Sequence, residues 1–130
     1  MLGLGDELEI DEDKGNKILA EAYPEVLKLL NSPDIDDIER TCVEFVTGAY
    51  KYFGLGGIKK DYQKAFETIK KCADKGHVAA IYDLGANFYY NGNGTEKNDK
   101  LAEYYLNIAK NAGLKRAIKL YNERDYEEER

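Results

Sequence analysis

The stretch GANFYYNGNG at residues 85–94 repeats the pattern of GAYKYFGLGG at residues 48–57, at an offset of 37 residues. The agreement continues on both sides of these stretches. The pairs of identical residues at this offset are Gly48/Gly85, Ala49/Ala86, Tyr52/Tyr89, Gly57/Gly94, Lys60/Lys97, Ala65/Ala102, Gly76/Gly113, Ala80/Ala117 and Ile81/Ile118. Recurring glycines at turns, with small and aromatic residues in helices, are typical of a helix–turn–helix unit reused in a solenoid.

Apolar spacing predicts two helices, A and B, in the first repeat. Helix A is entered through Ser32-Pro33-Asp34 and ends at Gly54. Its expected inward side chains follow three-and-four spacing and are Ile35, Ile38, Cys42, Phe45, Val46, Ala49 and Phe53. Helix B follows a glycine turn and ends at Gly76, which is expected to adopt the left-handed conformation of a helix stop. Its expected inward side chains are Ala65, Phe66, Ile69, Cys72 and Ala73.

The second repeat has the same two helices, and one further helix is expected at each end of the chain. Its helix A contains Ala80, Ile81, Leu84 and Phe88, and its helix B ends at Gly113. We expect a single domain over residues 1–130. Its parts are an acidic irregular segment at 1–15, a capping helix and the start of the first repeat at 16–41, two repeats at 42–117, and a C-terminal capping helix with a frayed tail at 118–130. Pro24 must either kink the first helix or begin a new one.

One set of residues, in this order and spacing, resembles the Sel-one-like repeat, a relative of the tetratricopeptide repeat. In the second unit the set is Ala80, Leu84, Gly85, Phe88, Gly92, Gly94, Ala102, Tyr105, Ala109, Gly113 and Ala117. The resemblance implies an all-α fold, a short right-handed α/α solenoid of two repeats with capping helices at both ends. It further implies an adaptor-like role in protein–protein interaction, with docking on the concave surface or an exposed edge, and no catalysis.

Composition excludes several protein classes. The chain has 130 residues, is 43% hydrophobic and 34% charged, and has a mean hydropathy of -0.63. These values exclude a membrane protein and a low-complexity chain. Two cysteines and one histidine are too few for a disulfide-dense miniprotein or a zinc module, so no cofactor or metal is expected. The first residues show no secretory leader, and the expected compartment is the cytoplasm.

The negative charge is concentrated near the N-terminus. Residues 1–40 contain twelve acidic and four basic residues, a net charge of -8, whereas the remaining residues carry +2. This distribution argues against nucleic acid as a ligand and favours a basic protein partner. The candidate contact residues are Asp6, Glu7, Glu9, Asp11, Glu12 and Asp13. The alternative is that the acidic end only keeps the protein soluble.

Tyrosine is the second kind of candidate contact residue. The chain has eleven tyrosines and no tryptophan, and tyrosine is a frequent interface anchor. We select Tyr52, Tyr89, Tyr90 and Tyr104 as candidate partner contacts. For each of them, packing between the repeats is the alternative role.

Cys42 and Cys72 are equidistant from the turn at Gly57, fifteen residues on either side. Folding the helical hairpin there places them at the same level, so a disulfide is one expectation and two small buried thiols the other. The resemblance also implies the disulfide, since some secreted relatives link their two helices in this way. His77, the only histidine, follows the helix stop at Gly76 and is expected to begin a helix rather than to serve in catalysis.

No arrangement of titratable residues in the sequence has the spacing of a catalytic site, so no enzyme is expected. The leading hypothesis is a non-catalytic module that binds one protein partner. Its most specific form is a bacterial immunity protein that neutralises a basic toxin, since electrostatic complementarity would speed the capture. The alternative is a regulatory or assembly adaptor of a larger complex. We expect a monomer or a weak homodimer.

Overall fold

A computed structural model describes residues 12–115, and within this range the chain forms helices and no strands. We number the helices in chain order. They are α1 (Glu12–Leu30), α2 (Asp37–Phe53), α3 (Tyr62–Asp74), α4 (Val78–Asp83) and α5 (Asp99–Asn111). A short 3-10 turn, Leu55–Gly57, follows α2, and a π-helical turn, Leu84–Tyr89, continues α4.

The two B helices, α3 and α5, begin in the same way. Asp61 caps α3 by accepting a hydrogen bond from the Lys64 backbone N–H at 3.0 Å. Asn98 lies 37 residues later and caps α5 by accepting one from the Leu101 N–H at 3.1 Å. Each cap satisfies a backbone donor that the first helical turn would otherwise leave unpaired. The repeat seen in the sequence is therefore also a repeat in local structure.

Helices A and B cross closely at Gly48 and at Gly85. A Cβ atom on Gly48 would lie 2.7 Å from Ile69 Cδ1, and one on Gly85 would lie 2.8 Å from Leu106 Cγ. Both pairs occupy equivalent positions in the two repeats. The recurring glycine therefore fits the close approach of the paired helices, most strictly at Gly85, where a Cβ would also lie 2.8 Å from the Ala102 carbonyl oxygen.

The described helices pack in series, with α2 against α3, α3 against α4, and α4 with its π-helical turn against α5. At the other end, α1 packs against α2 and the 3-10 turn. The main buried core consists of Ala65, Ile69, Cys72, Ala73, Ala80, Ile81, Leu84, Phe88, Tyr89, Ala102 and Ala109. This arrangement confirms the all-α solenoid. The inward face predicted for α3 is also confirmed, since Ala65, Ile69, Cys72 and Ala73 are buried.

The N-terminal helix differs from the prediction in two ways. It begins at Glu12, so residues 12–15 are helical and their assignment to an irregular segment was wrong. It also runs through Pro24 without ending, so Pro24 does not begin a new helix. Pro24 has no N–H, so the Ala20 carbonyl has no helical donor at this position, and both residues are exposed. Residues 1–11, and the C-terminal cap predicted at 118–130, lie outside the described range.

The second helix A contains a wide turn that the sequence pattern did not indicate. The Tyr90 N–H donates to the Gly85 carbonyl oxygen at 3.1 Å, five residues back instead of four. In this turn the adjacent residues Phe88 and Tyr89 are both buried, and both place their rings against the Phe66 ring of α3. The wide turn thus lies at the junction of the two repeats.

Candidate protein-binding face

The apolar face predicted for α2 is largely exposed. Ile38 is 77% exposed, Val46 41% and Phe53 58%, and Cys42 also lies at the surface. We call these four residues the α2 stripe. The expectation that they point into the core was therefore wrong. Because removing apolar groups from water lowers the free energy, an exposed stripe of this kind is a candidate interaction surface.

Two other faces of α2 are buried instead of the stripe. One faces α3 and α4: Thr41 is buried, its carbonyl oxygen lies 3.6 Å from Cys72 Sγ, and the Phe45 ring lies 4.7 Å from the His77 ring. The Thr41 hydroxyl donates to the Asp37 carbonyl at 2.8 Å, which satisfies it inside the helix. A buried threonine of this kind gives no apolar signal in the sequence.

The second buried face of α2 packs against α1. Tyr50 is 3% exposed, and its ring lies 4.7 Å from the Tyr23 ring. Its hydroxyl donates to the Leu19 carbonyl oxygen at 2.9 Å. Thr47, also buried, donates to the Glu44 carbonyl at 2.7 Å. With both sides of α2 covered, the stripe between them faces outward.

The equivalent positions on the next helix A are less exposed and differ in chemistry. The positions 37 residues after Cys42, Val46, Ala49 and Phe53 are Ala79, Asp83, Ala86 and Tyr90. Asp83 accepts a hydrogen bond from Asn87 Nδ2 at 3.3 Å, and Lys97 Nζ lies 5.7 Å from the centre of the Tyr90 ring. The apolar stripe thus has a carboxylate and a tyrosine at equivalent positions on the neighbouring helix.

The N-terminal end of α2 is acidic. Asp34, Asp37 and Glu39 are exposed there, around Ile38. Within the described range, the nearby Arg40 binds the protein's own backbone, because its guanidinium donates to the carbonyls of Leu30 and Ser32. These carboxylates were not among the contact residues predicted from the sequence. Their positions in the sequence, close to Ile38, could have indicated them as contact residues.

A cleft of about 630 Å³ opens at this end of α2, next to the turn between α3 and α4. Its lining residues are Asp37, Ile38, Thr41, Lys75, Gly76 and His77. Lys75 Nζ lies 3.8 Å from a Glu44 carboxylate oxygen. Because Ile38 belongs both to the stripe and to the lining of the cleft, the cleft adjoins the stripe at this end of α2.

His77 begins α4, as the sequence predicted. Its Nδ1 accepts a hydrogen bond from the Ala80 backbone N–H at 3.2 Å, in the position of an N-cap. Burial lowers the pKa of His77 below its ordinary value, because the charged form loses hydration. Both effects keep the imidazole neutral at neutral pH, since a protonated Nδ1 cannot accept the bond.

The candidate tyrosines separate into two groups. Tyr89 is 8% exposed and stacks on Tyr105 at 5.7 Å, and burial raises the pKa of Tyr89. Tyr52 accepts a hydrogen bond from Asn93 Nδ2 at 2.8 Å, and burial raises its pKa also. The structure therefore gives these two the packing role. Tyr90 is half-buried and Tyr104 is 59% exposed.

The acidic candidates lie mostly beyond the described residues. Asp6, Glu7, Glu9 and Asp11 are outside the range, and Glu12 is the first residue of α1. Asp13 is exposed at the start of that helix. They therefore stay predicted contacts.

The two cysteines are both free, and they have different surroundings. Cys42 is exposed on the stripe, whereas Cys72 is fully buried between α2 and the core. The two thiols are not joined in this structure, because Cys42 lies at the surface and Cys72 in the core. Burial raises the pKa of Cys72 to about 11, so its reactive thiolate form is scarce at neutral pH.

Two other kinds of site are absent from the described part of the chain. Among residues 12–115, no three His, Cys, Asp or Glu side chains are grouped so that they could hold a metal ion. In the same range no helix combines the length and the apolar composition needed to cross a membrane.

Comparison with known proteins agrees with the fold. The family model described as Sel1 repeat matches residues 45–77 and 78–114. The crystal structure of a Sel1 repeat protein from Oxalobacter formigenes is similar, with a TM-score of 0.61 and 23% sequence identity, over 94% of this chain and 99% of that one. At this identity the likeness shows the fold alone. No curated protein sequence matches the chain.

Proposed function

Because this chain belongs to the Sel1 repeat family, whose repeats are protein–protein interaction modules, we propose that it binds one basic protein partner through the α2 stripe. The most specific form of the proposal is an immunity protein that neutralises a basic toxin in the cytoplasm. In this role the chain acts by occupying a surface of the toxin and performs no catalysis.

The exposure of the α2 stripe is the single observation behind the proposal. Ile38, Val46 and Phe53 lie on one side of one helix, and each is more than 40% exposed. Burying such side chains on binding contributes about 25 cal/mol for each Å² of apolar surface removed from water. The stripe can therefore provide the apolar centre of an interface, with polar residues around it.

Charge supports a basic partner. Residues 1–40 have a net charge of -8, and the acidic residues around Ile38 belong to this segment. A field of one sign attracts a partner of the other sign and raises the association rate, which benefits an inhibitor that must act before its toxin does. We retain Asp6, Glu7, Glu9, Asp11, Glu12, Asp13, Tyr90 and Tyr104 as proposed contacts.

A regulatory or assembly adaptor is the second candidate, and the exposure of Tyr104 favours it. Tyr104 lies on α5, at the opposite end of the described helices from α1 and α2. Two separate exposed surfaces would allow one chain to hold two proteins. Affinity purification of an adaptor of this kind would recover several partner proteins, each in a substoichiometric amount.

Affinity purification of the tagged full chain from its native cells, at moderate salt and with mass spectrometry, separates the two candidates. One stoichiometric basic partner supports the immunity function. Expression of that partner alone should then stop growth, and co-expression of this chain should restore it. Several weak partners support the adaptor, and a partner that is harmless when expressed alone contradicts the immunity function.

A further inference from the structure

We infer that the occupant of the α2 stripe is an amphipathic α-helix of the partner, with lysine or arginine residues beside its apolar face. The inference rests on the proposed function and specifies the partner at the same site. It follows from three properties of the stripe: the backbone behind it, its length, and the charges at its end.

The backbone of α2 decides the form of the occupant. Every α2 residue from Arg40 onward can donate its N–H within the helix, and the ends are capped by Asp36 and by the N–H of Gly54. From Arg40 onward the stripe therefore offers no row of free N–H groups to an extended peptide, which would need one to add as a strand. A helix satisfies its own backbone groups and needs only side-chain contact.

The length of the stripe fits four helical turns. Ile38 and Phe53 are 15 residues apart, which is about 22 Å along a helix at 1.5 Å per residue. Between them, Cys42 lies four residues after Ile38, and Val46 lies four residues after Cys42. A partner helix with apolar side chains at three-and-four spacing presents a matching row, as in other helix-in-groove complexes.

The charges at the end of the stripe decide the charge that the occupant should carry. Asp34 and Asp37 are exposed, and neither forms an ion pair with another residue of the described range. Of the neighbouring bases, Arg40 is bound to backbone carbonyls and Lys75 lies against Glu44. Basic residues of the partner helix can therefore pair with these two carboxylates.

Cys42 provides a direct readout in the unmodified full chain. It is exposed at the middle of the stripe, whereas Cys72 is buried and its pKa is raised to about 11, so a thiol reagent modifies Cys42 first. The probe is a 15-residue helical peptide made of leucine and lysine in amphipathic order. We expect a saturating amount of it to slow Cys42 modification by at least about fivefold. The matching leucine–glutamate peptide should give no protection.

Two pairs of variants locate the peptide. Val46→Glu should weaken its binding about tenfold, whereas Ile18→Glu changes an apolar side chain of α1 that is 56% exposed and should leave binding unchanged. The double change Asp34→Asn and Asp37→Asn should weaken binding about threefold at low salt. Glu67→Gln, a control outside the α2 stripe, should not weaken it. Fluorescence anisotropy of the labelled peptide measures all four.

Besides a failure of the leucine–lysine peptide to protect Cys42, three results would overturn the inference. The first is equal protection of Cys42 by both peptides. The second is slow modification of Cys42 without any peptide at every protein concentration, because this would mean that the chain covers its own stripe. The third is protection that rises with protein concentration alone, which would mean that a second copy is the occupant.

Failure of this inference differs from failure of the proposed function. If one basic partner is recovered from cells but the leucine–lysine peptide leaves Cys42 unprotected, the occupant is wrong and the function stands. If the peptide protects Cys42 but no basic partner is recovered, the surface is right and the function is wrong.

Discussion

His77 holds the start of α4 through a nitrogen that must remain unprotonated, which makes stability depend on pH. Burial lowers its pKa in the folded state, so the unfolded chain binds more protons below an ordinary value of 6.5. The stabilisation by His77 is complete above that value and is lost as the pH falls toward the lowered one. We expect a lower free energy of unfolding at pH 5.5 than at pH 7.5, measured with urea.

His77→Asn is the control for this effect. Asparagine also caps helices but does not titrate in this range, so the variant should lose the His77 part of the pH dependence. Carboxylates titrate equally in both proteins and cancel in the comparison. An unchanged difference between pH 5.5 and pH 7.5 in the variant would show that His77 is not the titrating group.

Two glycines with positive φ separate backbone strain from lack of space. Gly76 has φ +90 with nothing within 4 Å of an added Cβ, whereas Gly94 has φ +70 and its Cβ would meet the Tyr62 carbonyl oxygen at 2.2 Å. Gly76→Ala should cost about 1–2 kcal/mol through strain alone. Gly94→Ala should cost at least about twice that, because the clash is with backbone. Equal losses of unfolding free energy would contradict this packing of the turn on α3.

At the level of the elements, α1 occupies the place of a helix B from a preceding repeat. The turn after α2 packs on α1, where a Cβ on Gly56 would lie 2.7 Å from the Ala20 nitrogen. The turn after the second helix A packs on the start of α3 through Gly94 and Tyr62, although Gly94 is equivalent to Gly57 and not to Gly56. The N-terminal helix is thus integrated in the solenoid, although it lacks the repeat glycines.

Tyr50 attaches α1 to α2, and its hydroxyl can be removed without loss of the ring. The Tyr50→Phe change deletes the hydrogen bond to the Leu19 carbonyl at 2.9 Å and leaves the contact with Tyr23. We expect a loss of about 1 kcal/mol and faster amide hydrogen exchange in α1 than in α3. If exchange accelerates equally in both helices, α1 does not open separately from the repeats.

The sequence predicted the helices more accurately than their buried faces, and α2 shows why. Three-and-four spacing identified Ile38, Cys42, Val46 and Phe53 as one side of a helix, which is correct. Spacing contains no information about which side the neighbouring helices cover. Here the covered sides contain Thr41, Thr47 and Gly48, whose burial depends on internal hydrogen bonds and close crossing. The apolar side is the exposed one.

Across the whole molecule, a continuous series of aromatic rings joins the two repeats. In order they are Phe53, Tyr52, Phe88, Phe66, Tyr89, Tyr105 and Tyr104, with consecutive ring centres 4.9–5.8 Å apart. The inner rings are packed, and the two ends, Phe53 and Tyr104, are exposed. A count of tyrosines could therefore indicate aromatic packing, but it could not separate Tyr89 from Tyr104, since that depends on the position of the neighbouring helix.

We propose that the α2 stripe is where this protein binds its partner. The most direct measurement is parallel affinity capture from the native cells with three tagged baits: the wild type, Val46→Glu and Ile18→Glu. Circular dichroism must first show equal helix content and melting temperature. We expect the wild type and Ile18→Glu to retain the same stoichiometric basic protein and Val46→Glu to lose it. Retention of that protein by Val46→Glu at the wild-type level would contradict the claim.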